Sequence, residues 1–179
     1  MTHEEIELVD VVDEQGTVLK IVPKQEAHRQ GLLHKTVISE VIDSSGRWLL
    51  VKQSGERQDA GQFVSPVGGH VQAGETEVQA LKREAEEEVG LTGEVNYEYV
   101  GRAIFNRFVL GRQENHLFVM FKIFSDEKPV LNHESESYNY FTEEEIKKIL
   151  SENASFFGDA FHFVVKEFFP QLLEGTAND

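Results

Sequence analysis

The stretch Gly69-His70-Val71-Gln72-Ala73-Gly74-Glu75-Thr76-Glu77-Val78-Gln79-Ala80-Leu81-Lys82-Arg83-Glu84-Ala85-Glu86-Glu87-Glu88-Val89-Gly90-Leu91 decides the reading of this chain. From Thr76 to Val89 its apolar positions, Val78, Leu81, Ala85 and Val89, recur at helical spacing and form one stripe, and Gly90 supplies a C-terminal stop. On that helix Glu84, Glu87 and Glu88 stand at i, i+3 and i+4 and share a face. Like charges at this spacing repel, and they gather at the helix end where the macrodipole also disfavours anions. A divalent cation with hard oxygen ligands reverses the sign of that cost, which suits Mg²⁺ or Mn²⁺. Gly68-Gly69 ahead of the helix lets the backbone come close to a ligand and can offer a carbonyl to a metal, while Arg83 and Glu75 suit a bidentate pair tying loop to helix.

Outward from this segment the chain alternates short strands and turns. Ile6 to Val12, a turn at 13–16 and Thr17 to Val22 read as an N-terminal hairpin that Pro23 ends. Lys24 to His34 is polar and partly helical with a break at Gly31; Thr36 to Ile42 and Trp48 to Lys52 form a second hairpin. Gln53 to Gln62 is loop, and Phe63 to Val67 a short strand running into the glycines. Val95 to Phe108 and His116 to Phe124 read as strands, the second nearly continuous in apolar residues and therefore central. Thr142 with Glu145 is a capping box opening a helix to Leu150, and a last helix runs from about Gly158 to Leu173. The expected class is α+β, one domain over residues 1–179 with helices flanking a mixed sheet.

Composition narrows the function. Among 179 residues there are 17 basic and 32 acidic side chains and no cysteine, for a formal charge of −15. Such a chain repels a phosphate backbone, which argues against a nucleic-acid polymer as partner. The missing cysteines remove disulfides, thiolate metal sites and thiol nucleophiles. No apolar run is long enough to span a membrane, and Met1-Thr2-His3-Glu4-Glu5 is acidic where a signal peptide is basic, so a cytoplasmic location is expected.

Three clustered glutamates alone are most often a solvated helix face. The full spacing is not so easily dismissed: Gly69, five residues, Glu75, seven residues, Arg83-Glu84, two residues, Glu87-Glu88, one residue, Gly90. Its seven fixed positions arise by chance in roughly one such chain in 10⁵ at these residue frequencies. This pattern resembles the Nudix box, over residues 69–91. Ala85 stands where that family usually has a larger aliphatic residue, a packing position. The resemblance implies an α/β/α sandwich around a mixed sheet and metal-dependent hydrolysis of a diphosphate linkage in a nucleoside diphosphate derivative or related organic pyrophosphate. It implies Mg²⁺ or Mn²⁺ on Glu84, Glu87, Glu88 and the Gly68 carbonyl and a small-molecule diphosphate substrate; a homodimer is a separate expectation. Glu84 or Glu134 is the expected general base, with Arg83 and Glu75 orienting.

A second resemblance joins the N-terminal half, Glu26-Ala-His28-Arg-Gln-Gly-Leu-Leu-His34 followed by Trp48-Leu-Leu-Val, to the isopentenyl-diphosphate isomerase branch of the same superfamily. In that branch histidines and two later glutamates hold a metal, which implies His28, His34, His70, Glu134 and Glu136 here. These histidines can equally be packing groups of the N-terminal segment, and Glu134 and Glu136 a solvated acidic loop. His3, His116, His133 and His162 have no motif support. The isomerase needs a cysteine beside the His70 position, where this chain has glycines, so isomerisation itself is not expected. The alternative is an isomerase-like metal- and nucleotide-binding module. Ligand histidines of ordinary pKa would release a metal as pH falls through about 6. Trp48, Phe105 and Phe108 are either core or base-stacking residues.

Overall fold

In the computed structural model the described residues are 5–175, so His3 and the rest of residues 1–4 lie outside them. In chain order the elements are β1 (Leu8–Val12), β2 (Val18–Pro23), α1 (Lys24–Gln30), β3 (His34–Ile42), β4 (Trp48–Gln53), β5 (Phe63–Val64), β6 (Val67–His70), α2 (Glu77–Val89), β7 (Asn96–Val109), β8 (Arg112–Phe124), β9 (Ser135–Phe141), α3 (Glu143–Glu152) and α4 (Asp159–Phe168). The expected N-terminal hairpin forms as β1 against β2. Both capping boxes, Thr76 with Gln79 and Thr142 with Glu145, are made.

β3 organises the sheet because both its edges are paired. One edge runs parallel to β8 along its whole length, from His34 opposite His116 to Ile42 opposite Phe124. The other edge takes β6, β4 and a single pairing with β1, all antiparallel. β7 closes the far side against β8, and β9 pairs β4. Alternation along β3 then sorts its side chains between two layers. Val37 and Val41, with Val119 and Phe121 of β8, pack against Ala80, Leu81, Ala85 and Val89 of α2. Ile38, Phe118 and Met120 pack on the other face against Ile146 of α3 and Phe161, Val164 and Val165 of α4. The sheet is thus mixed and covered by helices on both faces, an α+β fold with the sandwich arrangement expected. Ala85 is fully buried in the first layer, as expected of a packing position.

Several local differences have plain causes. The segment 63–70 is two strands, because Pro66 cannot donate to a ladder and separates β5 from β6. β8 begins at Arg112, four residues before the apolar run, because pairing with β7 carries the polar end of the hairpin. The last helix stops at Phe168, and Pro170 opens a short 3₁₀ turn through Leu173. Trp48 is buried against Phe169, edge to face, which makes it core and withdraws it from base stacking. Phe108 is exposed on the hairpin, and Phe105 packs with Phe118 and Phe163. No helix among the described residues is long and apolar enough to cross a membrane.

One polar side chain sits inside the α4-side layer. Glu40 on β3 is fully buried, accepts a hydrogen bond from the Ser65 hydroxyl, and leaves its second oxygen without a partner. Desolvation pushes its pKa up to about 8, against the Ser65 hydrogen bond that lowers it. Between about pH 4.5 and 8 the folded chain therefore holds a proton that the unfolded chain has lost, and stability falls as pH rises through that window. Glu40→Gln, which mimics the protonated acid, should gain stability relative to wild type as pH rises from 5 to 8. Melting curves of the two proteins test this, and a difference that is flat with pH overturns it. Other titrating groups are common to both proteins and cancel.

Candidate functional site

A cavity of about 540 Å³ opens where the β6 end of the sheet meets α1, the 54–62 loop and the β7–β8 hairpin. That is an ordinary size for a small-molecule site. Its lining includes Glu84, Glu87, Glu88 and Glu134 together with His28, His70 and His116.

Arg83 builds the acidic side. Its Nε and Nη2 donate to the two oxygens of Glu75 at 2.8 and 3.0 Å, its Nη1 donates to Glu84 at 2.6 Å, and Nη2 also donates to the His70 carbonyl at 3.0 Å. One guanidinium thereby ties the loop before α2, the helix itself and β6 together. Glu84 sits in space that only a glycine leaves open: a Cβ on Gly69 would overlap the Glu84 carboxylate. Gly68 has no such steric demand, since a Cβ there meets only ordinary contacts. The Gly68 N–H donates to Glu88 at 2.7 Å. In extended backbone a residue's N–H and C=O point to the same edge, so the Gly68 carbonyl faces the carboxylates too.

The charge balance of this face is unfavourable as it stands. Burial pushes the Glu84 carboxyl up to about 7, with Glu87 and Glu134 adding to the rise and Arg83 opposing it. Glu88 is raised well above the usual carboxylate range, mainly by burial, with Glu84 and Glu134 beside it. Two buried acids that resist ionisation, aimed at two more carboxylates, fit a divalent cation bound by oxygen ligands.

The second cluster is made of imidazoles. His28, His34, His70 and His116 place ligand nitrogens within 4.8 Å of one another. His28 Nε2 is 3.2 Å from His70 Nε2 and 3.5 Å from His116 Nε2. A tetrahedral ion with metal–nitrogen bonds of about 2.0–2.1 Å has ligand edges of about 3.3 Å. His34 Nδ1 lies 2.8 Å from the Leu32 carbonyl, so it carries the proton and donates. That tautomer leaves the buried Nε2 of His34, which has no other partner, as a lone pair available to a metal. Desolvation depresses all four: His28 falls to about 4, His34 is lowered, and His70 and His116 lie well below the ordinary range. The neutral form is the one that ligates.

The NUDIX domain family matches residues 32–159, well over half the chain. The chain belongs to the Nudix family. An uncharacterized Nudix hydrolase of Yersinia pestis is 39% identical over 90 residues, which are 49% of each chain. An isopentenyl-diphosphate Delta-isomerase of Aromatoleum aromaticum is 30% identical over 113 residues, 62% of this chain and 64% of that one. These matches therefore span from about half to under two thirds of the curated relatives' lengths. Among solved structures, DR0079 of Deinococcus radiodurans superposes with a TM-score of 0.70 at 23% identity, covering 89% of this chain and 98% of that one. A MutT protein of Methanosarcina mazei superposes at 0.60 and 22% identity, covering 78% and 92%. Both support the fold.

In this Nudix protein the structure brings together Glu84, Glu87, Glu88, Glu134, Arg83 and Gly68, and separately His28, His34 and His70. It does not bring Glu134 and Glu136 to the histidines. Glu134 lies against Glu88 and pairs with Arg57 at 2.7 Å, on the acidic face. Glu136 pairs with Lys52 at 2.9 Å and is half exposed. The place expected for these glutamates is taken by His116, which the sequence left without motif support. Its partnership with His34 comes from the parallel register of β3 and β8, a pairing between residues 82 positions apart that no local pattern carries. His133 and His162 stay outside the cluster; His162 reaches the Ala154 carbonyl and sets its ring against Phe157. Arg57, Arg107, Arg112 and Glu114 also line the cavity and went unnoticed in the sequence because they sit on a loop and a hairpin end.

The Gly69 contact gives a clean test. In Gly69→Ala the new Cβ displaces the Glu84 carboxylate and costs its bond to Arg83, while the two bonds from Arg83 to Glu75 remain to hold the loop on the helix. Titration with Mn²⁺ should show affinity at the acidic face reduced by about tenfold or more, in line with the loss of a positioned ligand. The metal-free melting temperature should move little. Unchanged Mn²⁺ affinity would mean that Glu84 does not ligate.

Proposed function

We propose that this Nudix protein is a metal-dependent hydrolase of a diphosphate linkage in a nucleoside diphosphate derivative or related organic pyrophosphate. The observation that carries this reading is the convergence of Glu84, Glu87, Glu88 and Glu134 on one wall of the cavity, locked by Arg83. Glu84, Glu87, Glu88 and the Gly68 carbonyl are the groups to hold Mg²⁺ or Mn²⁺. Such an ion supplies Lewis-acid polarisation of phosphoryl oxygens and lowers the pKa of a bound water. The residues themselves do the rest. Glu84 and Glu134 are the two candidates to take a water's proton. Arg83 positions the face, since four of its five donors are engaged by Glu75, Glu84 and the His70 carbonyl.

Glu87→Gln should lower turnover by about 10²-fold, the scale for losing one electrostatic contributor. The metal-free protein should melt at the same temperature or slightly higher, because like-charge repulsion on α2 is relieved. Release of phosphate or monophosphate from a panel of organic diphosphates, with and without Mn²⁺, measures it. Near-wild-type turnover in the variant would remove Glu87 from the metal face, and no turnover on any substrate would favour a binding module instead.

A second metal reading rests on the four buried neutral imidazoles. They favour a transition ion such as Zn²⁺, Mn²⁺ or Ni²⁺ over Mg²⁺. The sequence alone led to an expectation of metal release as pH falls through about 6. Burial moves that window down: with pKa values depressed, proton competition begins only at lower pH. One transition ion per chain should stay bound at pH 7.5 and at pH 5.5, and be lost in His116→Gln at both. Metal content by mass spectrometry tests this; equal content in the two proteins would leave these histidines as packing groups.

A further inference from the structure

The arginines lining the cavity fall into two kinds. Arg83 makes four short hydrogen bonds, and Arg57 is paired at 2.7 Å. Arg107 and Arg112, at the end of the β7–β8 hairpin, are bound loosely. Arg107 reaches Asp59 at 3.4 Å and Glu114 at 3.9 Å; Arg112 reaches Glu114 at 3.4 Å and the Gln58 side chain at 2.8 Å. The Nε of each is buried without a hydrogen-bond partner. Arg107 is 13% exposed, with its guanidinium held over the Phe105 ring.

The plain alternative is a structural ion-pair network, two arginines against Glu114 and Asp59. Arg83 closes its fork on Glu75 at 2.8 and 3.0 Å, the geometry of a fully engaged guanidinium–carboxylate pair. Here the carboxylates stay at or beyond 3.4 Å and leave both forks incomplete. They hold the two cations in the cavity and leave donors for a further anion.

The strand order sets how far this anion lies from the acidic face. β6 carries Gly68 and Gly69, and β3, β8 and β7 follow across the sheet. Two strand spacings separate β6 from β8, which carries Arg112, and three separate it from β7, which carries Arg107, about 10 and 14 Å across the sheet. On that spacing a diphosphate at the glutamates stops short of the arginines. We propose that Arg107 and Arg112 form a second anion subsite that takes a phosphomonoester on the organic moiety of the substrate. This rests on the hydrolase reading for the diphosphate end, and it makes the preferred substrate an organic diphosphate with an additional, separate phosphate. The guanidinium pair acts in binding and touches no reacting atom.

The deciding experiment omits divalent ions. With EDTA present and ionic strength held constant with NaCl, inorganic phosphate should stabilise the wild-type protein saturably. The same titration should give no saturable shift in Arg112→Gln, whose side chain is partly exposed and whose loss the fold tolerates. Arg107→Gln/Glu114→Gln, which removes one charge of each sign, should behave likewise, while Glu87→Gln should respond as wild type. A kinetic arm compares NADPH with NADH and coenzyme A with dephospho-coenzyme A, pairs that differ by one phosphate. In Arg112→Gln, kcat/KM for the phosphorylated member should fall by about tenfold, through KM, with the other member unchanged. Absence of saturable phosphate binding in the wild type, or its persistence in both arginine variants, overturns the subsite. Absence of hydrolysis in the wild type with phosphate binding intact overturns the hydrolase reading instead.

Discussion

The guanidinium of Arg83 is the interaction on which the acidic face depends. It binds the loop before α2 through Glu75, the helix through Glu84 and β6 through the His70 carbonyl. A single planar fork with five donors can satisfy three separate pieces of chain at once, which a lysine cannot. Its position fixes how far the C-terminal half of α2 stands from the glycine strand, and so where the carboxylates point. The missing side chain of Gly69 completes the fit by leaving room for Glu84.

Around that anchor the cavity holds two groups of buried polar side chains in opposite electrostatic states. The carboxylates resist losing protons and the imidazoles resist gaining them, and burial is the leading cause in both. Each group is therefore costly to bury alone, and each is relieved by a cation: oxygen ligands for a hard ion on one side, nitrogen ligands for a softer one on the other. Stability elsewhere offsets this cost. Continuous apolar layers above and below β3 and β8, with α2 on one face and α3 and α4 on the other, hold the strands in register. The histidine cluster is one consequence of that register, and the separation between glutamates and hairpin arginines is another.

The family relationship and the site chemistry bear on different questions. The NUDIX match accounts for the fold and the acidic helix. Similarity to an isomerase, without its cysteine, accompanies a histidine cluster in which His116 stands where glutamates were expected. A carboxylate ligand would bring charge to that site, whereas a fourth neutral imidazole leaves the full charge of a bound ion to be balanced by its surroundings. Glu114, buried two residues away on the same face of β8, is the nearest such group along the chain.

What the sequence determined by itself is whatever is written locally. The spacing of Gly69, Glu75, Arg83, Glu84, Glu87, Glu88 and Gly90 lies within 22 residues, and helical periodicity alone places the glutamates on one face. The N-terminal hairpin and the Thr142 cap were legible for the same reason, each being set by a few neighbouring side chains. Tertiary structure decided what depends on strand register. His34 meets His116 because β3 and β8 pair in parallel at one offset, and a slip of one residue would turn His116 to the other face. It also decided that Glu134 joins the acidic face while Glu136, paired with Lys52, does not, and that Trp48 is core. Such pairings join residues tens of positions apart, and only the packing of two hydrophobic layers on a shared sheet selects them.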